Sequence, residues 1–302
     1  MKRKVTLHGP TSLTISLPAE WVKINNILKG DELEIKMCGD SLIISPNKID
    51  YAKSIDLDIS SLKENIINML LAGMHKNGYS TLNITCNSQQ LKIIQKRINS
   101  LLMGYEIVEV TDNGCIVKSI SKIEDTDFNK LFKRVFLVTI VLGKSLVKYI
   151  ENDQVNSYED LLTMEETNNK LTNYIHRIIN LKNSNKDFSY IYVISWLQEK
   201  IADDYKRIAF IISNKGKLSK KFIDCLKKVN KLEEDYFNLF YKFDFNELDI
   251  LINRTKELKI NVGEILKENK ENSIDEYEAC SLLLSIINNI YNSFGSAMAY
   301  NN

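Results

Sequence analysis

The sequence predicts a multidomain α+β protein, on three observations. From Arg3 to about Ile120, apolar and polar residues alternate in short runs, the period of a strand, with two helical stretches between them. From about Ile123 the apolar period lengthens to near 3.6 and stays there. All three prolines, Pro10, Pro18 and Pro46, stand in the strand-rich part, which leaves the remainder free for long uninterrupted helices. Three domains are expected: a strand-rich unit over 1–48, a small α/β module over 52–121, and an all-α bundle over 123–302.

In the first unit, Val5 and Leu7 alternate with polar residues, and Gly9-Pro10 turns the run back. Leu13, Ile15 and Leu17 form the second run. Pro18 suits the first position of a short helix carrying Trp21, Val22 and Ile24. Gly30-Asp31 is a turn, Leu33 and Ile35 alternate, Gly39-Asp40 makes a hairpin, and Leu42 to Ile44 closes the unit. So short a piece exposes more strand edge and apolar face than it can cover alone.

The second unit opens with the strand Ile55, Leu57, Ile59, after which Ser60 is placed to cap a helix from Leu62 to Met74. Leu82, Ile84 and Cys86 alternate again. A second helix carries Leu91, Ile94, Ile98 and Leu101 and stops at Gly104. Ile107 to Val110 and Ile116 to Ile120 flank a turn at Thr111–Gly114. Strand, helix, strand, helix and hairpin make a small α/β layer.

Six helices follow, at about Asp125–Asn152, Ser157–Leu181, Phe188–Asn214, Ser219–Phe243, Asn246–Glu268 and Ile274–Ala299. Asp127, Ser157, Asp187, Ser219, Asn246 and Ser273 stand at their starts as caps. Short loops favour antiparallel neighbours, hence a bundle, and three helices followed by three more suggest a repeat. Aligning Ile201 with Ile290 sets Tyr205 on Phe294 and Ile208 on Ala297. Tyr236, Phe237, Phe240, Tyr241 and Phe243 occupy too many faces for one stripe and divide between core and a contact surface.

The net charge of +1 gives no global basic field, so any nucleic-acid contact must be local. No apolar run reaches the length of a membrane span, and no targeting pattern opens the chain, so a cytoplasmic protein without membrane insertion is expected. Five scattered cysteines form no CxxC, and the three histidines show no zinc spacing; His75 and His176 read as surface or helix-end residues. Nucleophile elbow, HExxH and P-loop motifs are all missing, so no enzyme is expected.

The stretches RKVTLHG, SLTISLPAEW, LKGDELEI and DSLII resemble the AbrB/SpoVT swapped-hairpin DNA-binding domain, above all the variant opening archaeal PhoU-like phosphate uptake regulators. The resemblance runs on through GYEIVEVT. It reaches the third long helix, where LQEKIADDYKRIA is similar to the acidic helix of PhoU. It implies a dimeric hairpin-swapped β-barrel, DNA as a partner, and a bundle of two three-helix repeats. It also implies a phosphate-transporter ATPase or sensor kinase as protein partner. In that family the acidic helix can ligate metal. Carried over, this implies a divalent or iron/zinc-type ion in the first repeat, at Glu199 and Asp203 with Glu165 from the helix before, beside Asn169. The second-repeat positions, Asn288 and Asn292 with Asn253 and Glu257, keep too few acids. Glu199 with Lys200, Asp204 and Arg207 reads equally as a solvated, salt-bridged face.

DNA contact is expected from Lys2, Arg3 and Lys4 with His8, Thr11 and Ser12, because no acid precedes Glu20 and alternation turns Lys2, Lys4 and His8 outward. The AbrB pattern carries an Arg after the first-turn glycine, where this chain has Pro10, Thr11 and Ser12. Lys2, Arg3, Lys4, Lys23, Lys29, Lys36 and Lys48 are balanced by Glu20, Asp31, Glu32, Glu34, Asp40 and Asp50. Two functions follow: a phosphate-responsive DNA-binding regulator, or a dimeric scaffold that binds a transporter or signalling partner through the bundle without touching DNA.

Overall fold

The computed structural model describes residues 1–38, 41–46, 53–120, 128–151, 157–182, 187–214, 216–268 and 274–302, in two compact units, Met1–Tyr51 and Ala52–Asn302. The first unit holds β1 (Thr6–His8), β2 (Ser12–Thr14), α1 (Ala19–Ile24), β3 (Leu33–Cys38) and β4 (Ser41–Pro46). β1 pairs antiparallel with β2, and β3 with β4, in two separate two-stranded sheets. Gly9 takes φ 75° to make the first turn, a conformation a side chain would strain. The β1–β2 ladder stops at Thr6↔Thr14, short of the expected run through Leu17, because no strand among the described residues pairs with Ile15 or Leu17. The turn at Gly39-Asp40 lies outside the described residues.

The second unit begins with a four-stranded sheet built from β5 (Ser54–Asp58), β6 (Thr81–Thr85), β7 (Tyr105–Thr111) and β8 (Gly114–Ser119), in the order β5-β6-β8-β7. β5 runs parallel to β6, and the other pairs are antiparallel. The connection between β5 and β6 is α2 (Glu64–Lys76), and that between β6 and β7 is α3 (Ser88–Leu101). Ile67, Leu71, Ile94 and Ile98 of the helices close on Leu82, Ile84 and Val117 of the sheet. A reciprocal cap opens α3: Asn87 Oδ1 accepts from the Gln90 amide (2.9 Å) while Gln90 Oε1 accepts from the Asn87 amide (3.1 Å). Ser60 does not cap α2. Its amide and hydroxyl both donate to Asp58 Oδ1, and the helix starts later, at Glu64.

The six long helices are α4 (Phe128–Ile150), α5 (Tyr158–Lys182), α6 (Asp187–Ser213), α7 (Lys220–Tyr241), α8 (Phe245–Glu268) and α9 (Ile274–Asn301). α4, α5 and α6 pack on one another, and so do α7, α8 and α9; α6 lies along α9 and α4 against α7. Ile201, Tyr205, Ile208, Ile290, Phe294 and Ala297 are all buried on that scaffold. Ser219 accepts from the Phe222 amide at 3.1 Å, and Ser157 and Asp160 cap α5 reciprocally. α8 is capped by Asp244 rather than Asn246, since Asp244 Oδ1 accepts from both Asn246 and Glu247 amides. Asp127 and Ser273 lie outside the described residues. Tyr236 and Phe240 are buried and Tyr241 is exposed, dividing that aromatic run between core and surface.

Gly143 marks a tight crossing in the bundle. Asn230 Nδ2 donates to the Gly143 carbonyl (2.7 Å), and Asn230 Oδ1 accepts from Tyr205 Oη (2.7 Å). A Cβ at residue 143 meets Asn230 Oδ1 at 2.7 Å and the Tyr205 ring at 3.0 Å, and both side chains are held by those bonds. Gly143→Ala is therefore expected to destabilise by about 1–3 kcal/mol from overpacking. Helix propensity alone predicts a gain of about 1 kcal/mol. Urea unfolding of the two proteins gives the sign.

α5 joins the bundle to the α/β layer through a polar stripe. Arg177 Nη1 donates to the His75 and Tyr79 carbonyls (2.8 Å each), and Asn180 Nδ2 to the Lys76 carbonyl (2.8 Å). Lys170 Nζ donates to the Asn99 carbonyl (3.2 Å) and Asn173 Nδ2 to that of Leu101 (3.5 Å). Apart from that of Tyr79, which follows α2, these carbonyls end α2 and α3, where a helix leaves acceptors unsatisfied and favours a cation. His75 and His176 are fully buried, not on the surface: α5 and the layer close over His75, which bonds the Met103 carbonyl at 2.9 Å. His176 stacks on Tyr192 at 3.7 Å and bonds Ser195 Oγ at 3.1 Å.

Candidate functional site

Two places gather the residues that the sequence singles out. The first is the β1–β2 hairpin. Its register sets His8 against Ser12 and Thr6 against Thr14, with the Thr6 and Thr14 hydroxyls 2.9 Å apart. Leu7 faces Leu13 on the opposite side, so the hairpin has one polar and one apolar face. Thr11 completes the turn between the strands, so His8, Thr11 and Ser12 share one end of the hairpin. Lys2, Arg3 and Lys4 precede β1 at the other end, one strand length away. All six side chains are exposed. The apolar face is exposed as well: Leu7 keeps 69% and Leu13 70% of its surface, and no described residue before Asn47 is buried.

The second place lies between α5 and α6. Glu165 on α5 is buried, and its Oε1 accepts from Asn169 Nδ2 at 2.6 Å one turn on. Glu199 and Asp203 sit one turn apart on α6, and Asp203 is the one that shares a lysine with Glu165. The salt-bridged face that the sequence offered through Lys200 is present, and Lys206, which the sequence reading missed, stands between Glu165 and Asp203. Lys206 Nζ stands 2.5 Å from Glu165 Oε1 and 3.1 Å from Asp203 Oδ1. Lys200 Nζ stands 3.0 Å from Asp203 Oδ2 and 3.7 Å from Glu199 Oε1. Lys200 and Lys206 lie three residues to either side of Asp203, a spacing visible in the sequence that puts both ammoniums on the acids' own face.

Burial raises the Glu165 carboxyl well above its ordinary range, against the pull of Lys206. Burial also works to raise Asp203, but its bonds with Lys200 and Glu165 and the charge of Lys206 outweigh it, leaving that carboxyl below its usual value. Arg97 of α3 adds a third cation. Burial lowers its guanidinium, and the charges of Glu165, Glu199 and Glu166 oppose that.

A divalent cation needs carboxylate oxygens free to face it. Glu165 Oε1, both Asp203 oxygens and Glu199 Oε1 already face an ammonium, so these residues as they stand do not fit a metal. Among the described residues no group of three or more His, Cys, Asp or Glu side chains is arranged to hold one. The second-half counterparts Asn253, Glu257, Asn288 and Asn292 are all exposed, while the first-half set lies beside α3, which packs on α5.

Residues 9–51 match the family of MazE, described as antidote-toxin recognition, a bacterial antitoxin. The match ends where the first compact unit ends and supports an N-terminal domain of the AbrB type. No curated protein and no solved structure matches the chain. Among the described residues no helix is long and apolar enough to cross a membrane.

Proposed function

We propose that this protein is a DNA-binding regulator that works as a dimer, with residues 1–51 as its DNA-binding and dimerising unit and residues 52–302 as its sensing or partner-binding unit. The likeness of residues 9–51 to the MazE family carries this reading. The exposed apolar face of the β1–β2 hairpin supports the dimer: Leu7 and Leu13, with Val5 and Ile15, need a second copy to cover them, and a swapped-hairpin barrel does so. The polar face and the basic terminus then point to the phosphate backbone. Control of phosphate uptake in the cytoplasm, with a transporter ATPase or sensor kinase as partner, is the finer reading. It rests on the resemblance of the α6 stretch from Leu197 to PhoU, in an arrangement of two three-helix repeats.

The test is a fluorescence titration of the full chain against duplex DNA at several salt concentrations, beside the Lys2→Ala, Arg3→Ala, Lys4→Ala triple variant. The parent should bind with two chains per duplex. The variant should bind every sequence more weakly, its salt slope flatter by about 0.9 for each phosphate that no longer meets a cation. Equal affinity and slope for both proteins remove this surface from DNA binding. The near-neutral first unit then serves as a dimerisation device, and the chain becomes a scaffold acting through its bundle.

A further inference from the structure

We infer that Lys206 is a built-in cation, standing where a metal ion would join Glu165 to Asp203, so that the first half of the bundle needs no metal and Lys206 excludes one. Glu165 and Asp203 come from two helices and meet at one point, a pairing of carboxylates that a hard divalent cation also selects. That point holds an ammonium: Lys206 Nζ bridges Glu165 Oε1 on α5 and Asp203 Oδ1 on α6, at 2.5 and 3.1 Å. Lys200 takes the outer oxygens of Asp203 and Glu199. Asn169, one turn from Glu165, adds a neutral donor that bonds the same carboxylate oxygen, as a surrounding residue orients a ligand. Glu199 Oε2 is buried with no hydrogen-bond partner, one oxygen more than the two ammoniums satisfy.

Two positive charges among three carboxylates, with Arg97 alongside, leave no excess of negative charge to attract a divalent ion. Removing the Lys206 charge changes the balance. The Glu165 and Asp203 carboxylates, with Glu199 one turn before Asp203, then border a space that an ammonium filled, an all-oxygen donor set suited to Mn²⁺ rather than Zn²⁺.

The test is thermal unfolding and calorimetric titration of the full chain with Mn²⁺, for the parent, Lys206→Ala, Lys206→Gln, and each Lys206 variant combined with Glu165→Gln. The parent should melt at the same temperature in Mn²⁺ as in a chelator. Lys206→Ala should melt lower than the parent without metal, and Mn²⁺ should raise its Tm by several degrees, with about one ion bound per chain; adding Glu165→Gln should abolish that response. Lys206→Gln keeps a hydrogen bond to Glu165 without the charge and gives the same readout should Lys206→Ala not fold. Mn²⁺ binding by the parent, lost in a Glu165→Gln single variant measured beside it, overturns the inference. So does a folded Lys206 variant that ignores Mn²⁺.

Discussion

Arg177→Ala is expected to cost the second unit about 2–3 kcal/mol, the range for losing hydrogen bonds made by a charged group to buried acceptors. The guanidinium is buried, and it donates to the His75 and Tyr79 carbonyls and, at 3.4 Å, to the Tyr105 hydroxyl. It also lies over the Tyr105 ring, 5.1 Å from the centroid. Truncation takes a donor from the His75 and Tyr79 carbonyls and opens the seam between the α/β layer and α5. Urea unfolding should therefore change in shape as well as midpoint. The parent loses layer and bundle together, whereas the variant's layer should unfold first. Far-UV circular dichroism follows the whole chain, and with Trp21→Phe in both proteins the fluorescence of Trp196 follows α6. Arg177→Lys keeps the charge but not the planar fork that reaches two carbonyls, and should fall between the two. A variant that unfolds in one step within about 1 kcal/mol of the parent shows that the seam does not depend on this residue.

Glu233→Gln is expected to stabilise the protein above neutral pH, by about 3 kcal/mol at pH 8. Glu233 is fully buried on α7, facing Gln198 of α6, which is also fully buried. Burial pushes its carboxyl up from 4.5 to about 7, a gap equivalent to about 3 kcal/mol. The folded state thus holds the proton more tightly than the unfolded chain does. Its stabilising effect is complete below pH 4.5 and is lost as pH rises through 7. The amide has the same shape and no charge to bury, so the variant escapes that loss. The difference between the two proteins isolates this one group. His75 and His176, which burial pushes down to about 3, weaken the fold with falling pH in both alike. Unfolding free energies at pH 5 and pH 8 decide the matter: a difference between variant and parent that is the same at both pH values refutes the buried-charge account.

The local elements were legible because their causes are local. Periodicity and breakers placed all six long helices within a few residues, and Ser157 and Ser219 cap as their positions suggest. Where local reading failed, a near neighbour intervened: Asp58 captured Ser60, and Asp244 took the capping role expected of Asn246. The order of strands and helices in the α/β layer was also readable from alternation and turns. At the candidate sites, the sequence identified the acids of α5 and α6 and the polar residues at the hairpin end.

Which segments are helix or strand, and which face of each is apolar, follows from sequence alone, since both depend on residues within a turn or a strand of one another. Where charge is buried is settled by packing. Arg177, Glu233 and Glu165 are residue types that normally face water, and nothing within four residues of any of them announces otherwise. They are buried because particular helix faces meet: α5 against α2 and α3, α7 among α4, α8 and α9, and α5 against α6. The same meeting of faces converts Glu165, Glu199 and Asp203 from a metal-ligand pattern into partners of Lys200 and Lys206. Spacing places carboxylates on a common face. Whether a metal or an ammonium completes the charge depends on which side chain reaches the space between two helices, and that is a property of how the helices come together.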